Sequence, residues 1–443
     1  MTDIEHNVKR MYEEYEYPKY DEKYDITAPY PLKLNITGNP NIINHYIYNG
    51  QRKTYDNYKV LFVGVGLGND LISFCFNFKK YKNLKIVCID LSKKSISICK
   101  KRLQKYNFNN IEIVEMSLLN LTPELFGKFD MINCVGVLHH LENPLLGLKI
   151  LNNLLEDDGF MDIMMYAKYG RSGVYLMREL LNLINHNVET HDYKTKINNF
   201  KEIYHNLPNT NLFKWNEHPC SDHFNSDNGI VDMLLHHQDR AYSIPELYDY
   251  FESENLNICC FSVLERYKYN IDLVDTAFNS SRDKYAFNEL LFSDINKHSC
   301  LVTKKEDTVS SFDNLDNIIV SYLIPYYELN KLVENCKKMI GSFEDQEIIY
   351  SNNYISTIEN YTDDDNDTSY IQFSSKYKIM FKTNYIITSF LDKINGERTI
   401  KEIINLVRTE LKLDKTNLEL INIFKPIYKI FEMHDLLLLV QYK

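Results

Sequence analysis

The stretch that most constrains this 443-residue chain is Val60-Leu61-Phe62-Val63-Gly64-Val65-Gly66-Leu67-Gly68-Asn69-Asp70. Four consecutive apolar residues read as a buried parallel strand, which is covered on both faces and so loses polar alternation. The strand runs into glycines at 64, 66 and 68, where backbone turns tightly and approaches a ligand with no Cβ in the way. Asn69 and Asp70 then open an apolar helix through Leu71, Ile72, Phe74 and Cys75. Strand, glycine turn and helix N-terminus together make a nucleotide-binding edge, although such turns also occur with no ligand.

The pattern repeats downstream. Leu84–Asp90 is a second strand ending in an acid, and Asp90 falls 22 residues after Gly68. That is near the spacing at which a carboxylate accepts both hydroxyls of a ribose. Ser92 caps the next helix. Further strands are expected at 111–114, 129–135, 160–166, 258–263 and 300–303, and an amphipathic helix at 144–155. This is an α/β pattern: a Rossmann-like, doubly wound sheet of seven strands with right-handed crossovers. A helical insertion over about 170–242 interrupts it, with a helix at 174–184 and a polar middle. Ser243 and Glu246 form a capping box at its end.

Around this domain (56–305) the chain divides further. Residues 1–55 read as an N-terminal arm that starts helical, is stopped by Pro18 and is kept extended by Pro29-Tyr30-Pro31 and Asn39-Pro40. It packs either over the ligand edge or as a loosely docked terminus. Residues 306–317 read as a polar linker. Residues 318–443 read as a separate, smaller α+β unit with a winged-helix-like pattern, through helices at 386–394, 400–411 and 418–439. The acidic run Tyr361–Asp367 inside it reads as a solvated loop.

Composition excludes several classes. The net charge of −11 argues against a duplex-coating nucleic-acid binder, so no nucleic-acid partner is expected. The polar start Met1-Thr2-Asp3-Ile4-Glu5-His6 lacks a secretory core, and no apolar run reaches spanning length. Nine scattered cysteines without a CxxC pair, most of them in apolar runs, point to reduced core thiols and a cytoplasmic location. His218-Pro219-Cys220-Ser221-Asp222-His223 offers ligand types for a metal, but the proline and short spacing fit zinc patterns poorly, and no metal is expected.

The glycine spacing is G-x-G-x-G rather than the G-x-G-x-x-G of dinucleotide binders, and it resembles class I S-adenosylmethionine-dependent methyltransferases. Cys134-Val135-Gly136-Val137-Leu138-His139-His140-Leu141-Glu142-Asn143-Pro144 resembles the GVLHHL-x-x-P motif after the fourth strand of that family. Three further elements resemble one branch, related to the rickettsial outer-membrane-protein lysine methyltransferases and to tetratricopeptide-linked methyltransferases. They are the Tyr-Glu…Tyr-Pro element within 12–20, Tyr166-x-x-x-x-Arg171, and Asp232-x-x-Leu235-His236-x-x-Asp239-Arg240-x-Tyr242. The resemblance covers roughly 8–305. From about 376 the Gly396-Glu397-Arg398-Thr399-Ile400 turn is similar to PqqD-type winged helices.

The resemblance implies S-adenosylmethionine as cofactor, bound by Gly64, Gly66, Gly68, Asn69, Asp90, Leu91, Ser117, Leu118, Cys134, Val135, Gly136 and His139. Where the family often places an acid for the adenine amino group, this chain has Ser117. Acceptor-side candidates are His139, His140, Tyr166 and Tyr169 at the ends of the fourth and fifth strands, where acceptors bind in such folds. Each has a plainer reading as packing or capping. His236 and Asp239 either share a helix face near the site or form a structural pair. Methyl transfer from a sulfonium needs alignment more than acid or base, so a legible cofactor site need not come with a catalytic residue. The implied activity is methylation of a protein side chain, lysine first, with a protein or peptide partner and a possible homodimer. Two readings stand beside it: methylation of a small molecule or peptide natural product, and a scaffold that kept the sheet and lost activity.

Overall fold

The computed structural model describes residues 3–19, 39–108, 111–215, 220, 226–262, 264–268, 272–321, 326–339, 346–359, 370–433 and 437–441. The chain divides into two compact units, Met1–Asp25 with Asp56–Glu306, and Ile26–Tyr55 with Asp307–Lys443. The expected arm of residues 1–55 is therefore split between the two. Pro29, Pro31, the acidic run 361–367 and most of the 218–223 segment lie outside the described residues.

The first unit is built on a sheet of eight strands: β1 (Lys59–Val63), β2 (Lys85–Asp90), β3 (Ile111–Glu115), β4 (Phe129–Val135), β5 (Leu155–Ala167), β6 (Ala241–Tyr242), β7 (Asn257–Phe261) and β8 (Lys297–Thr303). Seven run in the order β3-β2-β1-β4-β5-β8-β7, and the two-residue β6 adds an eighth beside β5, one more than expected. β1 pairs in parallel with β2 (Val60↔Ile86) and with β4 (Leu61↔Ile132). β8 runs antiparallel between β5 and β7. Val60 to Val63 are all buried, as the unbroken apolar run requires. After β1 the chain winds out to β2 and β3 and returns to β4. The carboxyl ends of β1 and β4 thus flank a topological switch point, where such sheets bind ligands.

The same unit carries helices α1 (Asp3–Glu14), α2 (Asn69–Phe78), α3 (Lys93–Lys105), α4 (Pro144–Leu154) and α5 (Ser172–Ile184). Ser92 caps α3 by accepting from the Ser95 amide. The polar middle of the insertion is helical rather than irregular. α6 (Tyr193–Asn206) is capped by Asp192 and buries only Tyr193, Ile197 and Phe200, a thin stripe inside a lysine- and asparagine-rich segment. α5, α6 and α7 (Asp227–Leu234) share a core of Val174, Met177, Leu181, Phe200, Phe213, Ile230 and Met233, and Met11 of α1 enters it fully buried. The N-terminal helix is thereby built into this unit by packing, rather than loosely docked.

The second unit packs strand 318–321 antiparallel to strand 437–440 (Val320↔Leu438) and gathers helices Tyr385–Asp392, Ile400–Leu411 and Asn417–Met433 around Phe390, Ile403, Phe424 and Tyr428. The expected helix 418–439 is shorter: it ends at Met433, and residues 437–440 form the strand. Thr399 and Glu402 make a capping box at the start of Ile400–Leu411. The helix Pro40–Ile47 belongs here. The Leu439 amide donates to Nδ1 of buried His45 at 3.1 Å, and the Ser310 amide donates to the His45 carbonyl at 2.7 Å. Part of the expected linker is thus packed structure, with Phe312 fully buried. A long antiparallel pair, Gln346–Glu359 with Tyr370–Thr383, was not foreseen from the sequence.

Candidate active site

Gly64, Gly66 and Gly68 take left-handed φ angles of +65°, +52° and +82°, a region costly to residues with a side chain. Their surroundings differ. A Cβ at Gly64 would lie 2.4 Å from Val137 Cγ2, and one at Gly68 would lie 2.6 Å from Cys99 Sγ. At Gly66 it would meet only the Gly64 carbonyl, at 3.9 Å. Gly64 and Gly68 are therefore demanded by packing, whereas Gly66 leaves open space for a ligand.

The loop is tied to the next strand. The Gly66 amide donates to Asp90 Oδ2 and the Ser92 amide to Oδ1, each at 2.8 Å. Burial pushes the Asp90 carboxyl above the usual aspartate range, and the amides of Ser92, Gly66 and Leu91 pull it partly back. Buried Arg102 of α3 donates to the Leu67 carbonyl and, at 2.7 Å, to Asn69 Oδ1, which braces the turn from behind.

A cavity of about 470 Å³ opens at these strand ends, within the range of about 300–1,000 Å³ that holds small ligands. Its wall follows the sheet order. Ser117 and Leu118 lie at the β3 end, Asp90 and Leu91 at β2, Gly64 and Gly66 at β1, Val135 and Gly136 at β4, and Met164 and Tyr166 at β5. Glu5, Val8 and Tyr12 also line it. Their spacing of three and four residues places them on one face of α1, so α1 roofs the cavity.

The β5 end is polar and crowded. Tyr12 donates to Asp232 Oδ1 at 2.8 Å, and burial with that carboxylate beside it raises the phenol well above its ordinary range. His140 lines the cavity, lies 3.7 Å centroid to centroid from the His236 ring, and donates from Nδ1 to the Gln238 carbonyl at 2.7 Å. Burial lowers His140 to about 4, so its imidazole is neutral at neutral pH. Behind this wall the two branch motifs meet. The Arg171 guanidinium stacks 3.6 Å from the Tyr166 ring centroid and pairs with Asp239 at 3.5 Å, while Tyr175 donates to Asp239 at 2.9 Å. His236 and Asp239 lie past the end of α7, so they do not share a helix face.

Of the residues expected to bind cofactor, Gly64, Gly66, Asn69, Asp90, Leu91, Ser117, Leu118, Val135 and Gly136 line the cavity. Three do not. Gly68 shapes the turn from outside the wall, and Cys134 is core beneath β4. His139 is fully buried between His140 and Tyr166, at ring distances of 4.2 and 4.0 Å, and burial lowers its pKa well below the ordinary range. Among the acceptor-side candidates, His140 and Tyr166 reach the cavity, while His139 and Tyr169 do not. His139 lies on the 3-10 turn Leu138–His140 after β4, and Tyr169 lies in the turn after β5 ends at Ala167. Glu5, Val8, Tyr17 and Lys297 were missed; the 5-8-12 spacing on α1 was the available signal for the first two. Asp232 was visible only as part of a motif.

Residues 61–161 match a family described as a methyltransferase domain. The chain is 30% identical over 232 residues to an uncharacterised Synechococcus protein, covering 51% of this chain and 53% of that one. It is 32% identical over 125 residues to an uncharacterised Rickettsia prowazekii protein, covering 28% of this chain and 48% of that one. The chain thus spans about half the length, or less, of the curated relatives it matches. Among solved structures, PKMT2 from Rickettsia typhi in complex with AdoHcy superposes with a TM-score of 0.58 at 18% identity, over 93% of this chain and 76% of that one. No helix of the described residues is long and apolar enough to cross a membrane. The chain therefore carries a methyltransferase domain at residues 61–161, set in the fold of the class I S-adenosylmethionine-dependent methyltransferases, and it resembles the rickettsial members.

Proposed function

We propose that this protein transfers a methyl group from S-adenosylmethionine to a side-chain nitrogen of a protein substrate, with lysine the acceptor. One observation carries the reading. A single cavity is lined both by an adenosine-type cradle, Gly66 with Asp90, and by a carboxylate–phenol pair, Asp232 with Tyr12, toward Tyr166 at the β5 end. The cradle fits the group: Gly66 has nothing where its Cβ would stand, and Asp90 is a buried carboxylate able to take a vicinal diol. When bound, the cofactor supplies an electrophilic methyl on a sulfonium with a neutral leaving group.

The remaining work falls to the chain. The cavity holds the acceptor in line, which is the largest help such a reaction needs. An ammonium cannot attack until it loses a proton, and the Asp232 carboxylate is the proton acceptor at that end. Burial among Tyr17, Tyr166 and the neutral imidazole of His140 favours the uncharged amine. Lysine is what the motif resemblance to the rickettsial outer-membrane-protein lysine methyltransferases implies, and the fold shared with PKMT2 from Rickettsia typhi is in keeping with it. The test is incubation of the full chain with S-adenosylmethionine labelled in the methyl group and with cell lysate, followed by mass spectrometry. Label on lysine, lost in Asp232→Asn, is expected. Label confined to a small molecule would replace the acceptor, and no label under any condition would replace the enzyme with a scaffold.

A further inference from the structure

Two residues past the end of β3, where the resembled family often places an acid for the adenine amino group, this chain has Ser117. The structure puts a carboxylate there from elsewhere. We propose that Glu5, delivered by α1, is the group that reads the exocyclic amino group of the cofactor's adenine, and that Ser117 holds it in position. The proposal rests on the cofactor reading above and names a residue that reading does not supply.

The geometry runs as follows along the sheet edge. Asp90 at the end of β2 marks where the ribose sits. The end of β3 lies directly against it, since the Met116 amide donates to the Asp90 carbonyl at 3.0 Å. With a ribose held by Asp90, the attached base would face Met116, Ser117 and Leu118, all of which line the cavity. Glu5 lines the same end and is 6% exposed. The Ser117 hydroxyl donates to Glu5 Oε1 and accepts from the Leu119 amide at 3.1 Å. Ser117 is thereby occupied as a positioning group. A carboxylate offers about four lone-pair sites over two oxygens, so it accepts from a hydroxyl and from an amino group together.

α1 is held where this requires. Lys9 pairs with Glu115 at the end of β3, Glu13 accepts from the Lys93 amide at the start of α3, and Met11 is sealed in the insertion core. Glu5 and Tyr12 share the roofing face and are seven residues apart, about 10 Å along the axis. One helix thus touches both the adenine end and the acceptor end.

The experiment is calorimetric titration of the full chain with S-adenosylhomocysteine and with its deaminated analogue S-inosylhomocysteine, which carries a carbonyl oxygen in place of the amino group. Wild type is expected to favour the adenosyl ligand by at least about tenfold, because a site built to accept from N–H is left facing an acceptor. In Glu5→Gln the side-chain amide donates to that carbonyl, and the preference should fall to about threefold or less. Lys9→Ala loosens α1 without touching the ring and should weaken both ligands alike, leaving the ratio intact. An unchanged ratio in Glu5→Gln, with or without equal loss of affinity, makes Glu5 a packing residue and overturns the proposal. Equal binding of both ligands by wild type overturns it without any variant and leaves the cofactor reading standing. Failure of wild type to bind the adenosyl ligand at all removes both.

Discussion

Gly64→Ala isolates how the glycine loop is built. The residue sits at φ +65°, where an added Cβ costs about 1–2 kcal/mol. That Cβ would lie 2.4 Å from Val137 Cγ2, well inside contact distance, and forcing an extra carbon into packed space costs about 1–3 kcal/mol. Lower entropy of the unfolded chain returns about 0.4–1 kcal/mol. The net expectation is a loss of about 2–4 kcal/mol. The steric part is separable. In a Val137→Ala background the offending methyl is gone, and Gly64→Ala should cost only about 1 kcal/mol, a coupling that a double-mutant cycle reads directly. Urea unfolding followed by fluorescence suits the purpose, because the chain's single tryptophan, Trp215, belongs to the unit that carries the loop. Equal cost of Gly64→Ala in both backgrounds would show that Val137 does not press on the turn, and the packing account would fail.

Three further outcomes follow from the same coordinates. Gly66→Ala meets only the Gly64 carbonyl at 3.9 Å, so urea unfolding should show a loss of only about 1 kcal/mol, while calorimetry should show cofactor affinity reduced at least about tenfold, since the methyl fills the ligand's approach. Asp90 has its carboxyl raised by burial; its charged form is disfavoured in the fold, so protonation on acidification stabilises rather than unfolds this site. Cofactor affinity, which needs the carboxylate, should therefore begin to fall at a pH above the ordinary aspartate range, and an onset no higher than that of a free aspartate would contradict the burial argument. In the second unit, burial pushes the Glu432 carboxyl up, but His45, 3.3 Å away, and Lys429 outweigh it and hold the group at about 2. The pair's stabilisation is present above the ordinary glutamate range and is lost as pH falls toward 2. The melting temperature of wild type should exceed that of Glu432→Gln near pH 6, and the gap should close on acidification; a constant gap would refute the pairing.

Much of the cofactor half was readable in one dimension. An unbroken apolar run into alternate glycines, followed by an acid at the end of the next strand, admits few arrangements, and Gly64, Gly66, Asn69, Asp90, Leu91, Val135 and Gly136 line one cavity at the strand ends. Failures came where linear adjacency was taken for spatial adjacency. His139 and His140 are neighbours in sequence, yet one is sealed in the wall and the other lines the cavity. Cys134 and Val135 differ because successive residues of a strand face opposite sides, whereas His139 and His140 lie on a tight 3-10 turn, Leu138–His140. α6 was missed because its apolar stripe is thin and its polar residues dominate the composition.

The contacts that the N-terminal helix makes over the adenine end and at the acceptor end were not readable, because their partners are far apart along the chain. Ser117 meets Glu5 across 112 positions, and Tyr12 meets Asp232 across 220. Local spacing marks a helix face, but it carries no information on what that face covers. The sequence alone determined the strand–turn–helix cradle and the doubly wound order, because hydrophobic period and glycine placement act over a few residues. Only the tertiary structure decided that the N-terminal helix roofs the cavity and lends it a carboxylate and a phenol, because burial of Met11 in the insertion core and the ties to β3 and α3 exist only once the chain has closed on itself.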